Sequence, residues 1–221
     1  MKRILTLALL LATAICLSAQ EPIQVKSKGS IDPKTWKAGQ TATLSISRMP
    51  ETLDEFVKLQ AEIGSRPEGA VMLQVVAFQM YIRNKTVGTE AIKLNNTDIN
   101  HYSVLSRMPE IFRLSGDSYA RLHLPATFFD GATPENGFNP KQPYTITVRS
   151  SKTRNYERSE SLKGYVLYLE AYSTGYDTPW RGCDVVKQKG CEYYKVNSSP
   201  SMYVQCKEVP FDSERDYEGL K

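Results

Sequence analysis

The stretch Phe128-Phe129-Asp130-Gly131-Ala132-Thr133-Pro134-Glu135-Asn136-Gly137-Phe138-Asn139-Pro140-Lys141-Gln142-Pro143-Tyr144 limits what this chain can fold into. Two glycines, three prolines and two asparagines rule out a regular helix or strand through it. Yet Phe128, Phe129, Phe138 and Tyr144 all call for burial. An irregular segment with that much apolar surface reads as a loop pinned to the body of the fold. Before it the sequence reads mostly as helices, and after it as strands. Two layers joined at this loop are expected.

The helical part begins with Leu53, Phe56, Val57, Leu59 and Ile63 at helical spacing. Pro50 suits the first helical position and Gly64 the stop. Ser65 followed by Glu68 reads as a capping box for the next helix. That helix, Pro67 to Arg83, is apolar nearly all round and should be the central buried one. Its polar exceptions, Gln74 and Gln79, either face a pocket or satisfy neighbouring polar groups. A short helix from Thr89 to Leu94 is expected to break at Asn95-Asn96-Thr97-Asp98. Ile99 to Phe112 reads as a helix interrupted at Pro109. Gly116-Asp117 opens a segment that leads through Tyr119, Leu122 and Leu124 into the pinned loop.

Beyond the loop, Tyr144 to Arg149 alternates as a strand and Gly164 to Tyr172 is a longer one. Residues 150–163 form a polar, basic connection, read as a solvated hairpin tip rather than an anion site. Cys183–Lys187 and Cys191–Val196 read as a hairpin around Gln188-Lys189-Gly190, and Met202–Glu208 as a last strand. The expected class is α+β, with N-terminal helices packed on a curved C-terminal antiparallel sheet of four to five strands. By analogy alone, a nuclear-transport-factor-2-like (cystatin-like) cone would fit. Residues 20–48 read as an N-terminal extension, with Thr41–Ile46 as an edge strand and Trp36 as a docking residue. Residues 49–209 form one domain, and residues 210–221 a loose tail.

The N-terminus reads as a signal peptide. Lys2 and Arg3 precede an apolar run from Ile4, shorter than the roughly 20 residues a spanning helix needs. Ser18 and Ala19 place cleavage after residue 19. Cys16 suggests lipid attachment less well, because Ile15 before it is large. Export to the periplasm, cell surface or medium is the expectation. Loss of residues 1–19 leaves 26 basic against 24 acidic side chains, a net charge of +2. That is no electrostatic footprint for nucleic acid. No later stretch is apolar for long enough to span a bilayer.

Three cysteines follow the signal: Cys183, Cys191 and Cys206. If Asn197–Pro200 turns the chain, Cys191 and Cys206 face each other, so a cross-strand disulfide or two buried thiols are both open. The spacings suit no metal, and no cofactor is expected. The sequence has no Gly-x-Ser-x-Gly elbow, phosphate loop, His-Glu-x-x-His or dinucleotide fingerprint. Of its two histidines, His123 reads as structural and His101 as exposed. Asp130 and Glu135 read as caps of turns. Tyrosine is the compositional oddity. Tyr168, Glu170 and Tyr172 share one strand face, with Tyr165 and Leu167 on the other. Such a face can hold a sugar or peptide by stacking and hydrogen bonding, or it can reflect strand propensity alone. Candidate ligand-binding residues are Tyr168, Glu170, Tyr172, Tyr194 and Gln74.

Several stretches resemble an uncharacterised family of exported proteins from gut bacteria, classed as a domain of unknown function. They are Met49-Pro50-Glu51-Thr52-Leu53-Asp54-Glu55-Phe56, Pro67-Glu68-Gly69-Ala70-Val71, Phe129–Phe138 with its Gly-Ala-Thr-Pro-Glu-Asn-Gly core, Pro143-Tyr144, Ser173–Arg181 and Lys187–Gly190. The resemblance spans residues 49–208. It departs at Glu192-Tyr193-Tyr194, where the family looks tryptophan-rich, and at Cys183, where proline is expected. It implies a secreted domain and supplies no catalytic residues. The preferred reading is a non-enzymatic exported domain of the cell envelope that binds a small molecule, a glycan or an envelope protein. The alternative is a small hydrolase or isomerase-like enzyme using Asp, Glu or Tyr in a pocket between helix 67–83 and the sheet. A third reading is an accessory subunit of an envelope assembly.

Overall fold

The computed structural model describes residues 21–112, 121–204 and 206–209. The stretch read as a signal peptide, the segment opened by Gly116-Asp117 and the tail from residue 210 lie outside the described residues. Four helices pack on one face of an open antiparallel sheet, an α+β arrangement. The helices are α1 (Leu53–Ile63), α2 (Pro67–Arg83), α3 (Lys85–Asn95) and α4 (Asp98–Ile111). The strands are β1 (Val25–Gly29), β2 (Thr41–Ile46), β3 (Tyr144–Ser150), β4 (Glu157–Ser159), β5 (Gly164–Tyr172), β6 (Trp180–Gln188) and β7 (Lys195–Ser198). Their order is β1-β2-β3-β5-β6-β7, with β4 paired to β5.

Seven strands replace the expected four or five. The stretch read as an extension supplies two of them, and β2 is an inner strand between β1 and β3 rather than an edge. Only Val25 of β1 is even half-buried, so no alternation marked that strand. β4 lies inside the basic connection and is equally polar. The hairpin of β6 and β7 forms with a longer connection than expected, pairing Val185 with Val196 across a register shift at Asp184/Val185. Among the described residues of the expected last strand no strand forms: Pro200–Tyr203 is a 3-10 turn, with proline at the position where its missing N–H costs nothing. The Cys191–Cys206 disulfide falls with that strand. Cys191 is exposed in the β6–β7 connection, and all three cysteines are free.

The helix starts follow their caps. Thr52, not Pro50, begins α1: its hydroxyl accepts from the Glu55 N–H at 3.2 Å. The Ser65–Glu68 capping box does not form. Arg66 is the N-cap of α2, and Glu68 pairs with it at 2.7 Å. α3 is longer than Thr89–Leu94 because Asn84 caps it, accepting from the N–H groups of Thr86 and Val87. α4 runs through Pro109, which sits in its last turn.

α2 lies where its composition put it. Fourteen of its 17 residues are buried, against β2, β3, β5, β6 and β7 on one side and α1, α3 and the 3-10 turn Leu124–Phe128 on the other. Gly88 lets α3 approach closely, since a Cβ there would sit 2.1 Å from the Tyr81 backbone. Between α2 and the sheet, among the described residues, Leu73, Val76, Leu44, Ile146, Leu169 and their neighbours form one buried apolar cluster where the sequence reading expects a cone pocket. Gln74 does not face a pocket. Its Oε1 accepts from Asn95 at 3.1 Å and Asn96 at 2.8 Å, and its Nε2 donates to the Ser199 hydroxyl at 3.4 Å. Asn100 extends this buried seam to Asn96. We expect Gln74→Leu to lower unfolding free energy by about 2–3 kcal/mol, because two buried amides lose their acceptor. Urea titration measures it, and an unchanged midpoint would show the seam to be energetically idle.

Candidate functional site

Three places on the surface carry enough chemistry to hold a ligand. The first is a cleft of ≈ 350 Å³ at the end of the sheet near the N-terminus of α2, where the helical layer stops. β5 delivers Tyr165 and Leu167 on its helix-side face, and the register sets Lys187 of β6 opposite Tyr165. Tyr156 precedes β4, Tyr194 precedes β7, and Lys34 comes from the 3-10 turn Pro33–Thr35. Trp36 packs on the core and meets Tyr156 edge-on at 5.9 Å, and Tyr156 meets Tyr165 at the same distance. Tyr156 and Tyr165 are 40% and 52% exposed, whereas Tyr194 is buried. Burial, with Glu68 and Asp32 adding repulsion, pushes the Tyr194 phenol above its ordinary pKa. Lys187 lies 5.7 Å over the Tyr194 ring. The lining thus offers phenol faces and hydroxyls with two ammonium groups, and no carboxylate, imidazole or thiol among the described residues.

The second is a pocket of ≈ 290 Å³ between the C-terminal end of α2 and the pinned loop. The loop is held as its composition demands: Phe128, Phe129 and Phe138 are buried. Thr133 and Asn136 form a reciprocal capping box, with Gly137 left-handed at φ 65°. Asn136 also donates to the Gly131 carbonyl at 2.7 Å. Met49, Gln79, Arg83, His123, Phe129, Phe138 and Tyr144 meet around the pocket. His123 stacks on Phe138 at 5.0 Å, and its Nε2 lies 2.8 Å from the Lys207 carbonyl. A carbonyl can only accept, so Nε2 carries the proton. Cys206 Sγ lies 3.4 Å from the same nitrogen and has no lone pair there to receive its hydrogen. Burial pushes the Cys206 thiol up to about 11 and the His123 imidazolium below its usual range. Both groups are therefore held neutral, the reverse of an activated Cys–His pair.

The third is the sheet face turned away from the helices, where Tyr168, Glu170 and Tyr172 lie. Alternation grouped them correctly, but their strand neighbours Leu167, Leu169 and Ala171 take the covered side. Arg149 binds Glu170 at 2.6 Å and lies 3.9 Å over Trp180, which meets Tyr172 edge-on. Arg154 lies 3.4 Å over Tyr168, whose hydroxyl bonds Glu157. These groups satisfy one another, and Tyr168 is itself buried against Val166 and Val186. Of the five sequence candidates, only Tyr194 lines the cleft. Tyr165, Tyr156, Lys34, Lys187 and Arg83 were missed as ligand residues. Tyr156 had one signal, an aromatic inside a basic run.

Asp184 of β6 belongs to this outer face, 3.6 Å from Arg154. Burial pushes its carboxyl up to about 6, against the pull of Arg154. The folded state therefore holds this proton more tightly than the unfolded chain. Its contribution to stability is full below the usual carboxylate range and falls as pH rises through about 6. Asp184→Asn should flatten that slope and raise stability above pH 7 by about 1 kcal/mol, as expected when a half-buried charge facing a largely exposed arginine is removed. Urea unfolding between pH 4 and 8 decides it; parallel profiles for the two proteins would refute the assignment.

The chain matches no curated protein and no solved structure. A family model does match residues 48–210, and two separated parts of that region, Met49 and the pinned loop with Phe129, Phe138 and Tyr144, converge on the pinned-loop pocket. That match covers most of the sequence, so the chain belongs to the family described as Domain of unknown function (DUF6935).

Proposed function

We propose that the protein is an exported, non-enzymatic binding domain of the bacterial cell envelope and that the tyrosine cleft holds its ligand, a glycan. The N-terminal sequence pattern supports export. The observation that carries the binding reading is the cleft itself: two half-exposed tyrosines, edge to face, beside a buried third. Tyrosine faces stack on the C–H surfaces of sugar rings, and their hydroxyls hydrogen-bond the ring substituents. A rigid aromatic loses little side-chain freedom on binding, which suits an open and largely preformed site. The lining of phenol faces and ammonium groups suits a neutral or acidic sugar. The buried apolar cluster under α2 weighs against the pocket enzyme at that place.

Affinity electrophoresis in gels containing peptidoglycan fragments or neutral and acidic polysaccharides tests the reading. One of these glycans should retard the protein. Tyr165→Ala should weaken retention about tenfold, the equivalent of roughly 1.4 kcal/mol for one lost stacking platform. Its unfolding midpoint should stay unchanged, since the ring is half in solvent. Retention that survives both Tyr165→Ala and Tyr156→Ala would remove the cleft from consideration.

A further inference from the structure

The pinned-loop pocket has a chemistry different from that of the tyrosine cleft. Arg83 and Gln79 are four residues apart on α2, so their side chains leave the same helix face. Both line this pocket. Arg83 is exposed to solvent and makes no ion pair among the described residues. It is also the wall shared with a neighbouring pocket of ≈ 270 Å³, where Glu51 stands outside ion-pair distance. Gln79 is the complement: its Oε1 is covered and accepts no hydrogen bond. The terminal torsion of glutamine is broad, so a small rotation presents that oxygen to the cavity. The opposite wall is aromatic, with Phe129, Phe138 and Tyr144.

A guanidinium fork wants a carboxylate, and an amide oxygen beside it wants an N–H. An aromatic wall wants an apolar side chain. One chemical class carries these three groups on a single carbon. We propose that this pocket binds an α-amino acid unit with a free carboxylate and an apolar side chain, either a free amino acid or the last residue of a peptide. The carboxylate takes Arg83, the α-nitrogen donates to Gln79 Oε1, and the side chain lies against Phe129 and Phe138. His123, neutral and stacked on Phe138, closes the site without adding a charge that would compete for the anion. This site is separate from the tyrosine cleft and does not depend on the glycan reading.

Titration of the purified chain with N-acetyl-L-phenylalanine, followed by calorimetry and by NMR shifts at Phe138 and His123, tests it. Saturable binding is expected. N-acetyl-L-phenylalaninamide, which lacks the carboxylate, should bind at least tenfold more weakly, and 3-phenylpropionate, which lacks the N–H, more weakly than the parent. Arg83→Gln should abolish the preference for the acid over the amide. Gln79→Leu should abolish the preference over 3-phenylpropionate. Arg83→Lys keeps the charge without the fork and should give an intermediate loss, which guards against a folding defect in Arg83→Gln. Free L-phenylalanine separates the two sources: tighter binding than the N-acetyl form means a free amino acid, weaker binding a peptide terminus. Absence of saturable binding, or binding unchanged in Arg83→Gln, overturns the proposal. So does loss of binding in Tyr165→Ala, which would put the probe in the cleft.

Discussion

A helix that is apolar on every side must be covered on every side. α2 sets that condition for the whole molecule, and the rest of the chain meets it. The sheet covers one side; α1, α3 and the turn before the pinned loop cover the other. Once Gln74 sits in the middle of such a helix, its amide has no water to turn to, so it must find partners within the protein. Asn95, Asn96 and Ser199 supply them. The break between α3 and α4, which looks like a simple run of turn residues, is also the polar filling of the core. Thr97 then ties it to β7 through the Val196 carbonyl at 2.9 Å.

The parts legible in the sequence were those whose pattern is dictated by this burial. The bounds of α2 and β5 are as read, because each is long and strongly patterned. The pinned loop is buried and irregular because aromatics, prolines and glycines leave it no other course. The losses have a common cause. β1 and β4 are short and polar, held by their neighbours' hydrogen bonds rather than by side-chain burial, so periodicity gave them no mark. The pairing of Cys191 with Cys206 rested on a register sum, which fails wherever a bulge or a turn intervenes; here both do. Alternation also told which side chains share a face without telling which face is covered. Tyr168, Glu170 and Tyr172 were grouped rightly and yet lie opposite the helices.

The tyrosine cleft and the pinned-loop pocket both follow from a mismatch in length. α2 is about 25 Å long at 1.5 Å per residue, and β5, with nine residues, about 30 Å. The sheet therefore reaches past the helical layer. At the end where Tyr194 donates its N–H to the Gly64 carbonyl, the uncovered helix-side positions are Tyr165 and Lys187, and they become the floor and wall of the tyrosine cleft. At the other end the pinned loop folds back over Tyr144 and leaves the second pocket against the last turn of α2. The aromatic surplus of the sequence gathers where the helices run out.

The helix also bears on Arg83, which stands exposed at its end with no carboxylate within ion-pair distance among the described residues. A guanidinium in water is solvated and needs no paired anion. Arg83 is the last residue of α2, where the unpaired carbonyls of the final turn carry the negative end of the helix dipole. That field favours a cation by about 0.3–1 kcal/mol and asks for no particular geometry. A side-chain carboxylate would hold the fork and close it to other ligands; a helix terminus steadies the charge and leaves the fork's donors free. The opposite end of α2 shows the contrasting case. Buried Glu68 sits in the first turn, where the dipole favours an anion, and there Arg66 does engage it. The same helix thus neutralises its charge at one end and leaves it available at the other. The available end is the one that faces a cavity with an unpaired amide oxygen and an aromatic wall.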